Sequence, residues 1–126
     1  MYTVTADIAK NRLYVKLVGF FDYKEMKEAT DKTIAETAKL KPGFDVITDL
    51  SEFKPVGQDT ISEVARGQAH LNKAGKRYAI RVEGKMKLTS LQFSRMGKNT
   101  DYMPDIVASL EEAEKLLDAK IAQEQK

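Results

Sequence analysis

The chain has 126 residues, 42% of them apolar and 32% charged, which is the make-up of one soluble domain able to bury roughly two thirds of its unfolded surface. Cysteine is absent and histidine occurs once, as His70; this excludes disulfide scaffolds, thiol nucleophiles, zinc fingers and iron–sulfur sites, and no metal or cofactor is expected. The net charge of +2 hides an uneven spread, because Asn72 to Lys98 holds eight basic residues against Glu83 alone, a local +7, while the remainder sums to −5.

The first twenty residues alternate. Tyr2, Val4, Ala6 and Ile8 share one parity and Leu13, Val15, Leu17 and Gly19 another, with turn character from Ala9 to Arg12, so a β-hairpin is expected. After Phe20 and Phe21 the period changes to that of a helix. Asp22 and Glu25 form a capping box, Met26, Thr30, Thr33, Thr37 and Leu40 recur on one face, and Pro42-Gly43 ends the element. The three threonines make a small, weakly apolar seam suited to close packing on a sheet, with hydroxyls able to bond carbonyls one turn back.

Phe44 to Leu50 reads as a buried strand ending at Asp49, followed by a loop at Pro55 and Gly57. Thr60 and Glu63 suggest a second capping box, opening a helix over residues 60–74 that Gly75 closes. Arg77 to Glu83 alternates as a strand, and a last strand is expected at Asp105 to Ala108. Ser109 and Glu112 make a third capping box for a terminal helix carrying Leu110, Ala113, Leu116, Leu117 and Ile121 on one face, with residues 123–126 fraying. Between them, Lys85 to Met96 would be apolar on both sides if helical, with Leu88 and Leu91 opposite Met86, Phe93 and Met96. Such a stretch needs two neighbours, so these five residues are candidates for a homodimer contact or for a lid over an apolar ligand.

This order predicts a single α/β domain over residues 1–126: a mixed sheet begun by an antiparallel hairpin, with helices packed on it. Ligands of such folds sit beyond the carboxyl ends of the strands, here Asp49, Ser51 to Asp59, Glu83 to Lys87 and Ala108-Ser109. No phosphate-cradling loop is present, since Gly84-Lys85 is followed by Met86 and Ala79 stands where an upstream glycine is needed. No Gly-x-Ser-x-Gly turn exists for a hydrolase nucleophile. Asp49 reads best as a carboxylate holding the loop after it. Asp59, Glu63, Arg66 and His70 follow at spacings of four, three and four on one face of the second helix, with Glu63 and His70 about 10 Å apart along the axis, too far for one metal ion. A solvated charged face is the first reading of this pattern, a face that meets a partner the second, and catalysis the last. The basic block offers only Tyr78 and Phe93 for stacking and matches no nucleic-acid-binding motif, so no nucleic acid is expected. Leu17 to Phe21, the longest apolar run, is far short of the ~20 residues that span a bilayer, and no signal-peptide pattern opens the chain, so a cytoplasmic protein without a transmembrane segment is expected.

The run Val46-Ile47-Thr48-Asp49-Leu50-Ser51-Glu52-Phe53, the loop and helix after it, and Asn72-Lys73-Ala74-Gly75-Lys76-Arg77-Tyr78-Ala79-Ile80 resemble the STAS domain, the SpoIIAA-like anti-sigma-factor-antagonist family. Ser109-Leu110-Glu111-Glu112-Ala113 is similar to that family's last strand-to-helix junction. The resemblance implies a non-catalytic regulatory or scaffolding module that binds a protein partner through the loop and helix after the third strand, where phosphorylation of a hydroxyl releases the partner. Where the family has Asp-Ser-Ser-Gly, this chain reads Gly57-Gln58-Asp59-Thr60, placing Asp59 at the acceptor serine and leaving Thr60 as the candidate phospho-acceptor. The partner face implied is Asp59, Thr60, Glu63, Arg66 and His70, carrying its charge without phosphate. The alternative is a small lipid- or acyl-binding protein, since related small proteins resemble CRAL-TRIO-like folds and Met86 to Met96 would suit a lid.

Overall fold

The computed structural model describes residues 1–54, 57–83 and 104–124. Strands β1 (Tyr2–Asp7) and β2 (Arg12–Gly19) form the expected antiparallel hairpin, with Tyr2 opposite Leu17 and Asp7 opposite Arg12. The turn is one residue earlier than the composition suggests: Asn11 takes the left-handed conformation at φ 53°, which a short polar side chain tolerates, and Arg12 is already in the strand. Helix α1 (Tyr23–Thr37) starts as predicted, with the Asp22 carboxylate accepting the Glu25 N–H at 2.8 Å.

Strand β3 (Asp45–Phe53) runs three residues past its expected end. A shift in the β2–β3 register between Lys16 and Val18 lets Val18 and Gly19 pair with Glu52 and Phe53, an irregularity that only the neighbouring strand dictates. Helix α2 (Gln58–Lys73), strand β4 (Ala79–Glu83), strand β5 (Asp105–Val107) and helix α3 (Leu110–Glu124) follow. The sheet order is β1-β2-β3-β4-β5, with β2 to β5 parallel.

Alternation along the strands divides the core between two faces. Leu13, Leu17, Val46, Leu50 and Ala79 pack beneath α1 and α2, while Ile47, Ile80 and Val82 pack against Ala113 and Leu117 of α3. The threonine seam of α1 serves a second helix as well as the sheet. Thr33 and Thr37 bond back to the Ala29 and Thr33 carbonyls at 2.8 and 2.6 Å, as expected, but Thr30 donates across to the Glu63 carbonyl of α2 at 3.1 Å.

At the start of helix α3 the Ser109 hydroxyl accepts the Glu112 N–H at 3.2 Å, and the Glu112 carboxylate reaches back past Ser109 to accept the Ala108 N–H at 2.9 Å. Charge ties the helix down beside the apolar contacts of Ala113 and Leu117. Arg12, only 2% exposed, donates to Glu114 at 2.9 Å and Asp118 at 3.2 Å, and the Tyr14 hydroxyl donates to the same Glu114 at 2.8 Å. Burial, and then the bond to Glu114, push the Tyr14 hydroxyl pKa up. The helix runs to Glu124, where Arg77 holds that carboxylate at 2.6 Å while also clasping the buried Asp45, and the Tyr78 hydroxyl donates to it.

Candidate functional site

The carboxyl ends of β2 and β3 lead into α1 and α2, and Asp59 and Thr60 lie in the first turn of α2. Asp49, expected to end its strand and hold the loop after it, lies within β3, where its Oδ1 accepts the N–H of Ser51 in the same strand at 2.9 Å and the Ser51 hydroxyl at 2.6 Å. Lys54 donates its N–H to the Gly19 carbonyl at 3.2 Å and sets its ammonium 5.5 Å from the centre of the Phe20 ring. That ring is 74% exposed, while Phe21 beside it packs edge-on against Phe53 in the core.

The start of α2 differs from expectation. The helix begins at Gln58, two residues early, and its N-cap is Gly57, which supplies no side-chain bond. Thr60 and Glu63 therefore do not form a capping box. They are 2% and 5% exposed, because Thr60, Val64, Gly67 and Leu71 make up the stripe that α2 turns inward. The Thr60 hydroxyl is thus not presented at the surface as a phosphate acceptor. Asp59 is exposed in the first turn and accepts the Thr60 N–H at 2.9 Å, and the exposed Ser62 donates its hydroxyl to the Asp59 carbonyl at 2.6 Å.

Nor do Asp59, Glu63, Arg66 and His70 share one solvated face. Glu63 points inward and receives Arg66 through both oxygens, at 2.7 and 3.1 Å, and Arg66 reaches across to Asp31 of α1 at 2.7 Å, which in turn receives Lys27 at 3.0 Å. Two carboxylates raise the Arg66 pKa, Glu63 first and Asp31 second, and Arg66, followed by Lys27, holds the Asp31 carboxyl below the usual carboxylate range. The charged row is therefore largely a clamp between two helices. His70, half-buried near the end of α2, lies apart from it, and among the described residues no three His, Asp or Glu side chains converge as a metal site.

Met86, Leu88, Leu91, Phe93 and Met96, the candidates for a dimer or ligand contact, lie outside the described residues. Two cavities are lined by described residues: about 70 Å³ between the sheet and the α1–α2 pair, and about 200 Å³ on the α3 side beside Tyr14, Lys16, Asp49 and Leu110. No helix among the described residues is long and apolar enough to cross a membrane.

A solved structure of the anti-sigma factor antagonist SpoIIAA in its unphosphorylated form superposes on 94% of this chain and 96% of its own, with a TM-score of 0.61 at 13% identity. The chain has the STAS fold. The mixed sheet opened by a hairpin is thus the architecture that the resemblance implied, and at this identity the likeness is one of fold alone. No protein-family model and no curated protein matches the sequence. On this STAS scaffold two exposed groups, Phe20 just past the end of β2 and Ser62 near the start of α2, escaped the sequence reading. The Phe20-Phe21 doublet was a usable signal for the first: at the end of a strand of period two, adjacent aromatics face opposite ways and one must meet solvent.

Proposed function

We propose that this chain is a non-catalytic regulatory module that docks a protein partner with the carboxyl end of its sheet and the first turn of α2. The observation that carries the reading is the match over nearly the whole chain to a protein whose printed role, antagonist of an anti-sigma factor, is exercised on another protein. Local chemistry supports it. In the first turn of α2 Gly57 supplies no side-chain cap and the exposed Asp59 takes the Thr60 N–H, Ser62 just beyond it is exposed, and Phe20 stands out at the same end of the sheet as an aromatic anchor of the kind that dominates interface energies. Asp59 supplies a permanent negative charge at the positive end of the helix dipole, so the face needs no phosphate on Thr60.

The test is site-specific photo-crosslinking in the native host, with a benzophenone amino acid at Ser62 and, as control, at the exposed Lys115 of α3. One discrete protein adduct from position 62 and none from 115 is the expected result. Equal labelling from both positions, or none from 62, refutes the docking face. Denaturing extraction of the same protein should release no stoichiometric lipid.

A further inference from the structure

On the α3 side of the sheet one row of side chains crosses three strands. Thr3 of β1 pairs with Lys16 of β2, and Lys16 pairs with Asp49 of β3. The row before it, Tyr14 beside Ile47, points the same way, because positions two apart on a strand share a face. These residues, with Leu110 at the start of α3, line the cavity of about 200 Å³. Ile47 is buried and lies deepest, Asp49 and Tyr14 are half-buried, and Thr3 and Lys16 are exposed at the mouth.

The lining holds two opposite charges, and each retains bonding capacity. Asp49 spends Oδ1 on both Ser51 donors, while its Oδ2 takes part in no hydrogen bond among the described residues. Lys16 meets Glu52 at 3.5 Å, an exposed contact longer than a charge-assisted hydrogen bond, and its ammonium has three N–H donors, so a second acceptor can join. Adjacent strands lie roughly 4.8 Å apart, which sets this cation and this carboxylate side by side. A simple anion or cation would meet a like charge there. A ligand with an ammonium and a carboxylate on one carbon meets an opposite charge with each. The Tyr14 hydroxyl is committed to Glu114, so its ring, Ile47 and Leu110 are left to receive an apolar body. An apolar cavity of roughly 150 Å³ takes benzene, with six heavy atoms, so the larger space here suits the nine of leucine.

We propose that this cavity binds a free aliphatic α-amino acid of leucine size, its carboxylate on Lys16 and the Thr3 hydroxyl, its ammonium on Asp49 Oδ2 and its side chain against Tyr14, Ile47 and Leu110. The site lies on the opposite face of the sheet from α1 and α2 and stands whether or not a protein partner docks at the α2 start.

The test is an amide NMR titration of the full chain with L-leucine, and with glycine, N-acetyl-leucine and leucinamide as probes that lack the apolar body, the ammonium and the carboxylate in turn. Leucine should give saturable shifts at Thr3, Lys16 and Asp49, and each of the other three should bind more weakly. Asp49→Asn should weaken leucine binding about tenfold, the loss expected when a hydrogen bond between charged groups is reduced to a neutral one, and Lys16→Gln about threefold, since that cation is exposed. Lys16→Gln changes only a side chain at the surface and reports on the site even if Asp49→Asn fails to fold. Absence of a saturable leucine response, an unchanged affinity in either folded variant, or any of the three probes binding as tightly as leucine each overturns the proposal.

Discussion

Gly67 lies in the middle of α2 where that helix meets α1, a position at which a glycine is commonly taken to be required by close approach. The geometry argues otherwise. A Cβ placed there meets the Thr30 Cγ2 at 3.5 Å, an ordinary van der Waals distance, and no other heavy atom within 4 Å. Gly67→Ala therefore gains the helix propensity of alanine, about 1 kcal/mol, without an overlap to offset it. With an unfolding entropy of about 2.1 cal/mol/K per residue, that gain raises the thermal midpoint of a 126-residue chain by about 4 °C. Gly75→Ala is the control with the opposite sign. Gly75 has φ +99°, and a Cβ there would lie 3.0 Å from the Pro42 Cβ and 3.2 Å from its Cα, so left-handed strain and a backbone overlap combine to cost about 2 kcal/mol. Thermal melts followed by circular dichroism measure both. A lowered midpoint for Gly67→Ala would show that the α1–α2 contact has no room for a methyl group, and the reasoning would fail.

Three further outcomes follow from the ion pairs and the α2 start. Arg12→Met removes the buried cation under α3 and should cost about 2 kcal/mol, less than the ~3–5 kcal/mol of a fully buried pair because Glu114 and Asp118 can reach water; faster amide exchange confined to residues 110–124 is the signature, and uniform exchange counts against it. Thr60→Glu, chosen to mimic phosphate, should instead lower the thermal midpoint by several degrees, since it puts an unpaired carboxylate at a 2% exposed position; an unchanged midpoint would mean the helix start opens readily. The Asp31 carboxyl titrates lower in the folded chain than its ordinary value of 3.8, so the stability it contributes is complete above that value and is lost as the pH falls through the folded one. Asp31→Asn should therefore differ from the parent in urea midpoint at pH 7 and converge with it at strongly acid pH, and a gap that widens on acidification contradicts the pairing with Arg66.

Local sterics and periodicity alone determined a good part of this protein. The alternation of Tyr2, Val4 and Ala6 against Leu13, Val15 and Leu17, the Asp22 cap and the Ser109–Glu112 bond involve partners a few residues away or a repeat of period two, and each appears in the structure where the residues put it. Only the tertiary structure decided the rest, because the deciding partner is remote in the chain. The end of β3 depends on a register shift against β2, and Arg12 is buried because Glu114, 102 residues later, neutralises it. At the α2 start, Thr60 and Glu63 have the spacing of a cap, and that spacing is also the one that turns both side chains toward α1 and the sheet. Capping and burial compete for the same two positions, and burial prevails at Glu63 because Arg66 satisfies its carboxylate and is itself held by Asp31 of α1.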